Sequence, residues 1–541
     1  MHKYLFYVQI HYIFAPVFKS KKKKRNMKRR VLFSILVLAM TVTSAFAGGL
    51  LTNTNQNVAF LRNPARGGTI GIDGVYSNPA GVAFLNKGFH LSLNSQSAWQ
   101  TRTATTTNPL FQMGVENNGA TTKQYKGTAT APVIPSIQAA YNMGKWSFQF
   151  GFAVSGGGGK CEFANGLGSF EGAVAQIAAG LQPFGAQGYD AGYFMEGKQY
   201  YFGVTLGAAY KLNEHLSVYG GLRALIGSAS YKAKISDIMV KTANGTVPFS
   251  GFLDATNAYI TSTLNDINAN LPLINAGIEQ LKPIVGNPNA PADLLQKYET
   301  LTAQKAQLEA AKTQLEGAQP LVEELGVYRE GVNLQSDQSG FGIAPVLGID
   351  YKIGQFNFGA KYEFRTKMMM KNKSTLKEAM AIEAVNQFRD GTEVPEDAPA
   401  MLTIGAEWSA LKNLRLDAGF VYYFDKQAKK YGDKQNLLSS GSKEFLAGIE
   451  YDPIKKLTVS GGIQVTRLGL SDEYMSDLSF NVSSWSFGLG LKYQISKRVA
   501  VNAAYFHTMY GDYNTTATAE GVKNSFTRSS KVAGIGLDFT F

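Results

Sequence analysis

The chain contains one cysteine, Cys161, in 541 residues, so it forms no internal disulfide and carries no thiolate metal cage. Histidine is scarce as well, with five in all. No Gly-x-Ser-x-Gly elbow occurs, and no His-Asp-Ser set is suggested by position, so neither an enzyme nor a cofactor is expected. Charged residues are only 17% of the chain. Only one long apolar run occurs, residues 31–47, and it falls short of the ~20 residues a membrane-spanning helix needs. That run follows Lys28-Arg29-Arg30 and ends in Ala45-Phe46-Ala47, the pattern of a secretory leader with a small-residue cleavage site. The expected division is an upstream extension over 1–26, from a misassigned start before Met27, and a signal peptide over 27–47. Residues 1–47 hold ten Lys or Arg and no acid, so the formal +13 falls to +3 for the remainder. A net charge that small implies no polyanion partner and no nucleic acid.

Glycine, tyrosine and phenylalanine are abundant, at 57, 27 and 33. From Asn86 onward they recur in segments of about ten residues in which alternate positions are apolar, the length and period of a strand crossing a bilayer. Trp146, Phe148, Phe150, Phe152 and Val154 alternate with Ser147, Gln149, Gly151, Ala153 and Ser155, and Trp485, Phe487, Leu489, Leu491 and Tyr493 alternate with Ser484, Ser486, Gly488, Gly490 and Lys492. A soluble sandwich would carry more Lys and Glu on its outward face and use shorter strands. Strands are expected to start near residues 86, 133, 145, 198, 214, 339, 355, 398, 412, 442, 456, 481, 497 and 529. The count of fourteen is even, and six tight links alternate with seven long ones. The reading is all-β: a fourteen-stranded antiparallel transmembrane barrel over 86–541, with short periplasmic turns and long outer loops. Its last strand, ending on Phe541, pairs with the first to leave no edge.

Two stretches break the strand pattern. Residues 67–85 are small, Gly-rich and apolar, and contain the turn signal Asn78-Pro79-Ala80-Gly81. They read either as a plug inside the barrel, within a hatch over 48–85, or as an ordinary N-terminal arm. In the outer loop expected at 236–338 the period changes to three and a half. Ile260, Leu264, Ile267, Leu271, Ile274, Ile278 and Leu281 form one stripe, and Leu294, Leu301, Leu308 and Leu315 another. This predicts a helical hairpin outside the barrel, whose stripes either pack on each other or collect hydrophobic ligand at the mouth. Residues 170–181 and 375–388 also read as helical.

Taken together, the chain resembles the FadL/TodX family of outer-membrane transporters for long-chain fatty acids and other hydrophobic compounds. The resemblance is carried by Asp73-Gly74-Val75-Tyr76-Ser77-Asn78-Pro79-Ala80-Gly81, similar to the Asn-Pro-Ala hatch motif of that family, by Tyr231-Lys232-Ala233-Lys234-Ile235 before a helical outer loop, and by Lys443-Glu444-Phe445-Leu446-Ala447-Gly448. It implies passive uptake across the bacterial outer membrane: capture at outer loops, binding in a hatch-lined pocket, and sideways exit through the third strand into a membrane of lipid and lipopolysaccharide. It also implies that Lys232 and Lys443 partner a ligand carboxylate, although each reads equally as a solvated lumen lysine. Gly156-Gly157-Gly158-Gly159 is the expected lateral opening, or else the start of a flexible loop. Phe541 is the expected signal to the barrel-assembly machinery. The rival readings are a general porin, which would have an open lumen, and a structural or adhesin barrel acting through its external hairpin.

Overall fold

A computed structural model describes residues 53–541 apart from 286, 288 and 378–382. The upstream extension and leader expected over 1–47 lie outside the described residues. Fourteen strands close into one antiparallel barrel, in sequence order around the wall. They are β1 (Gly88–Thr107), β2 (Thr122–Met143), β3 (Trp146–Phe163), β4 (Gly188–Lys211), β5 (Leu216–Thr242), β6 (Val332–Ile353) and β7 (Phe356–Glu363). The other half comprises β8 (Met401–Leu411), β9 (Leu414–Tyr423), β10 (Lys443–Ile454), β11 (Leu457–Arg467), β12 (Ser484–Gln494), β13 (Val499–Tyr510) and β14 (Lys523–Thr540). β14 pairs with β1 from His90↔Thr540 to Thr107↔Lys523, so no edge remains.

The alternation that predicts the strands also sorts their faces. Leu93, Phe148, Leu206, Leu222, Ile349, Phe358, Ile404, Ile449, Ile463, Leu489 and Ile535 are exposed on the outside. Near the short turns the exterior is ringed by aromatics, including Trp146 with Tyr210, Phe356 with Trp408, and Phe89 with Phe541. Inward positions are polar and buried, among them Asn94, Gln138, Gln149, Asp350, Asp417, Glu450 and Gln464. An oily belt with aromatics at its rim and a polar interior is a membrane-spanning barrel of the outer-membrane type. The expected tight links are all present. At the β4–β5 turn, Asn213 Oδ1 accepts from the backbone N–H of His215 and Leu216 at 2.8 and 2.9 Å, a local device that reverses the chain without glycine.

Ten strands start within three residues of expectation. The other four start earlier: β2 at Thr122, β4 at Gly188, β6 at Val332 and β14 at Lys523. These strands extend past the lipid belt into the outer loops, where no apolar solvent imposes alternation. In the stretch from Thr122 to Thr130 the outward residues Thr122, Gln124, Lys126, Thr128 and Thr130 are polar, while Tyr125 and Ala129 on the other face are buried, so the apolar-outward pattern of the belt is lost. Extension of β5 and β6 also shortens the loop expected at 236–338 to 243–331. The expected helical stretch 375–388 begins in a strand, Met369–Lys377, that pairs with the outer half of β6; residues 378–382 lie outside the described residues, and a 3-10 helix occupies Glu383–Phe388.

Among the described residues there are five α-helices: α1 (Val58–Arg62), α2 (Gly74–Ser77), α3 (Gly168–Gly180), α4 (Phe249–Val285) and α5 (Ala292–Glu324). At 1.5 Å per residue α4 is about 55 Å long. α4 and α5 form the expected external hairpin. Phe249, Leu253, Ile260 and Ile267 of α4 are buried with Leu315 and Val322 of α5, and the base of this cluster includes Val174 and Ile177 of α3. The hairpin therefore stands on α3 and the outer end of β5, not on the lipid belt.

Candidate functional site

Residues 53–85 thread the lumen, and their hydrogen bonds reach strands all round the wall. Asn57 caps α1, its Oδ1 accepting from Ala59 N at 2.8 Å, and its Nδ2 donates to Gln138 of β2 at 2.7 Å. Arg62 donates to Glu450 of β10 at 2.6 Å, and Asn63 to Asp417 of β9 at 2.5 Å. Arg66 grips Asp73 through Nε and Nη2 at 2.7 and 3.0 Å and reaches Glu450 at 3.1 Å. The approach is so close that the wall carries glycine where the segment touches it. A Cβ on Gly405 would overlap the backbone of Gly67, and one on Gly448 the side chain of Asn63. This gives a physical reason for the small second face of the strands.

The Asn78-Pro79-Ala80 turn binds three strands. Asn78 Nδ2 donates to Asp350 of β6 at 2.5 Å, Pro79 O accepts from Gln149 of β3 at 2.7 Å, and Ala80 O accepts from Ser217 of β5 at 2.7 Å. Proline at 79 brings no backbone N–H to this buried site, while its carbonyl is used. Next to the turn, Tyr76 lies between two cations: Lys361 Nζ is 3.8 Å from its ring centroid and the Arg223 guanidinium 4.9 Å. The Tyr76 hydroxyl donates to Asn53 at 2.9 Å, and Asn53 in turn donates to Glu444 of β10 at 2.9 Å.

Above this segment lies a cavity of about 190 Å³. Asn53, Asn55 and Phe60 form part of its lining, Phe506, Val532 and Arg528 another part, and Ile134, Val154, Gly156, Gly157 and Gly159 the side toward β2 and β3. On that side the barrel wall is broken. The β2–β3 ladder pairs Ser136 with Ala153 and resumes only at Thr130 with Lys160, so between these points β2 and β3 are not paired with each other, although β2 keeps partners on β1 and β3 on β4. Pro132 and Pro135 fall in the gap and bring no N–H to a ladder. Gly157 and Gly159 have φ of +94° and +74°, values L-residues rarely adopt, and the β3–β4 register shifts beside them. Val133 of β2, at the gap, is 67% exposed. The cavity is thus lined on this side by residues of the stretch where β2 and β3 are not paired with each other.

Neither carried-over lysine faces this cavity. Lys232 lies between buried Tyr231 and Ala233 and points outward, toward Glu196, which it approaches at 4.0 Å and which is itself paired to Lys160 at 2.8 Å. Lys443 is exposed like its alternate neighbour Phe445, and the inward residue is Glu444. A step of one residue exchanges faces, so a carboxylate occupies the lumen position where the resemblance implies a cation. Cations that face inward include Arg223 and Arg415, which the alternation places on the polar side of their strands, and Lys361 and Arg528, which were not singled out from the sequence. Arg528 lies ahead of the expected start of β14, so its face was unreadable there.

No family model matches the sequence, and no curated protein does so significantly. Among solved structures, a Pseudomonas aeruginosa FadL homologue is similar over 91% of this chain and 100% of its own, at 12% identity and a TM-score of 0.57. The Ralstonia pickettii toluene transporter TbuX is similar over 90% of this chain and 98% of its own, at 13% identity and a TM-score of 0.50. At such identities the likeness establishes a shared fold.

Proposed function

We propose that this barrel carries hydrophobic small molecules, long-chain fatty acids foremost, passively across the bacterial outer membrane. Ligand is captured at the outer loops, lodges in the cavity above the hatch formed by residues 53–85, and leaves sideways between β2 and β3. The observation that carries this reading is the cavity's position between residues 53–85 in the lumen and the stretch of wall where β2 and β3 are not paired with each other. A hydrophobic solute cannot cross the lipopolysaccharide leaflet readily and gains by leaving within the apolar belt. The fold shared with a FadL homologue and a toluene transporter supports the same direction. A general porin needs a water-filled lumen, and here residues 53–85 are hydrogen-bonded to β2, β3, β5, β6, β9 and β10 across it.

The test is uptake by cells lacking their own transporter, with and without this protein, of labelled oleate and of a small hydrophilic sugar. Oleate entering without additional sugar is the expected result. Sugar entering alongside it would replace this reading with an open pore, and neither entering would shift attention to the external hairpin and adhesion.

A further inference from the structure

On the outer surface of the wall, Lys443 of β10 and Arg467 of β11 are direct cross-strand partners. Both are exposed, on the face that carries Phe445 and Ile463, while Glu444 and Gln464 turn inward. Residues opposite each other in an antiparallel pair share a face, and like charges there repel. Their outward neighbours are Tyr422 of β9, directly opposite Lys443, and Phe445 and Val465 one step down the strands, none of them acidic. Among the described residues neither cation has a carboxylate within ion-pair reach. By contrast, where Lys160 of β3 lies opposite Lys198 of β4, Lys160 holds Glu162 at 3.0 Å and Glu196 at 2.8 Å. The Lys443–Arg467 pair sits at the outer end of the wall, since the short β10–β11 turn is at the other end. The eleven steps from Lys443 to Ile454 span about 36 Å of strand, or about 28 Å of height at a tilt of ~40°, which matches the ~25 Å apolar band and its rims. Aromatics mark the rim here: the Phe420 and Phe445 centroids are 5.3 Å apart, those of Tyr422 and Phe424 4.8 Å, and Trp485 of β12 is exposed. Such a girdle lies at headgroup level, so two uncompensated cations stand there directly above the apolar strip of Phe445, Ile449 and Ile463.

We infer that Lys443 and Arg467 form a clamp for a phosphate of lipid A, the membrane-embedded part of lipopolysaccharide. The phosphate oxygens accept from both side chains, which relieves the repulsion between them, and the acyl chains lie along Phe445, Ile449 and Ile463. A guanidinium matches phosphate oxygens bidentately, and an ammonium adds a point charge. Position and charge select the occupant: the amphiphile that meets the outer rim is a phosphorylated glycolipid, whereas phospholipid headgroups lie at the level of the periplasmic turns. The site is separate from the transport reading. β10 and β11 lie eight strands on from β2 and β3 in a wall of fourteen, across the barrel from the glycine gap, so the bound lipid anchors the barrel without covering the proposed exit.

Diphosphoryl lipid A and lipid A lacking both phosphates share their acyl chains and sugars. Binding of each to the purified, folded full-length barrel in neutral detergent is measured by native mass spectrometry, for the wild type, for Lys443→Gln with Arg467→Gln, and for Lys455→Gln with Lys456→Gln in the periplasmic turn as a control of position. The wild type is expected to hold the diphosphoryl form about tenfold or more tighter, the scale of a charge-assisted hydrogen bond. The outer double variant should lose that preference, and the turn variant should keep it. Equal wild-type affinities, or an equal fall in both variants, would overturn the site. Displacement of the diphosphoryl form by equimolar phosphatidylglycerol or inorganic phosphate would overturn its assignment to lipid A. Should the outer double variant fail to assemble, Arg467→Gln alone, expected to lose part of the preference, still decides.

Discussion

Glu450 is the meeting point of three guanidinium groups, from Arg62 at 2.6 Å, Arg66 at 3.1 Å and Arg415 at 3.3 Å. Two belong to the N-terminal segment and one to the wall, so a single carboxylate clamps hatch to barrel. Replacing it by glutamine leaves the buried Arg62 without a carboxylate, while Arg66 keeps Asp73 and Arg415 keeps Asp452, and breaking such a buried pair costs about 3–5 kcal/mol. Glu450→Gln should therefore lower stability against urea and let a hydrophilic sugar leak through a barrel that still assembles. Unchanged leakage would place the clamp elsewhere. The same residue-by-residue geometry shows what was legible in the sequence. Phe445, Ile449 and Tyr451 are exposed while Glu444 and Glu450 are buried, so the period of two already assigns Lys443 to the outside. The family likeness suggested the opposite face, and the alternation was the better guide. Glu450 offered no such signal, because its partners in the N-terminal segment, Arg62 and Arg66, lie 388 and 384 residues away in sequence.

At the level of elements, β2 and β3 differ from the rest of the wall in one place. Between Ser136 and Thr130 on β2, and Ala153 and Lys160 on β3, cross-strand pairing lapses. The glycine run on β3 was legible as a weak point because glycine both loosens a strand and permits positive φ. The prolines facing it on β2 complete the gap; Pro135 falls within the strand expected from 133, whereas Pro132 joins it only because β2 starts at Thr122, eleven residues before its expected start. A repaired ladder tests the role of this gap. Changing Pro132 and Pro135 to threonine and Gly156, Gly157, Gly158 and Gly159 to alternating valine and serine restores donors and strand propensity. The expected outcome is a folded barrel whose oleate uptake falls about fivefold or more while laurate binding to the purified protein persists, the signature of a blocked exit step and not of lost binding. Uptake at the wild-type rate would mean that the ligand leaves by another route.

For the whole molecule, the barrel and the external hairpin divide the energetics between two solvents. The wall is held by ladder hydrogen bonds and by lipid contact, neither of which involves α4 or α5. The hairpin instead has its own core. Ile260 and Ile267 are buried with Leu315, Leu264, Leu271 and Leu308 pack beside them, and the base rests on α3. The stripe read from the sequence as either core or collecting surface is largely used up as core, since Leu281 too is buried. Excising 249–324 and bridging the ends with a flexible Gly-Ser linker should therefore leave the wall intact. It should uncover only the outer cluster around Val174, Ile177, Ile238 and Val240. A heat-modifiable barrel on gel electrophoresis, with oleate uptake at low ligand within about twofold of the full chain, is the result this packing leads to. A large rise in apparent KM with kcat unchanged would instead show that the exposed remainder, such as Leu273 at 71% exposure, supplies ligand to the cavity. Failure to assemble would tie the hairpin to the stability of β5 and β6, whose outer ends it joins.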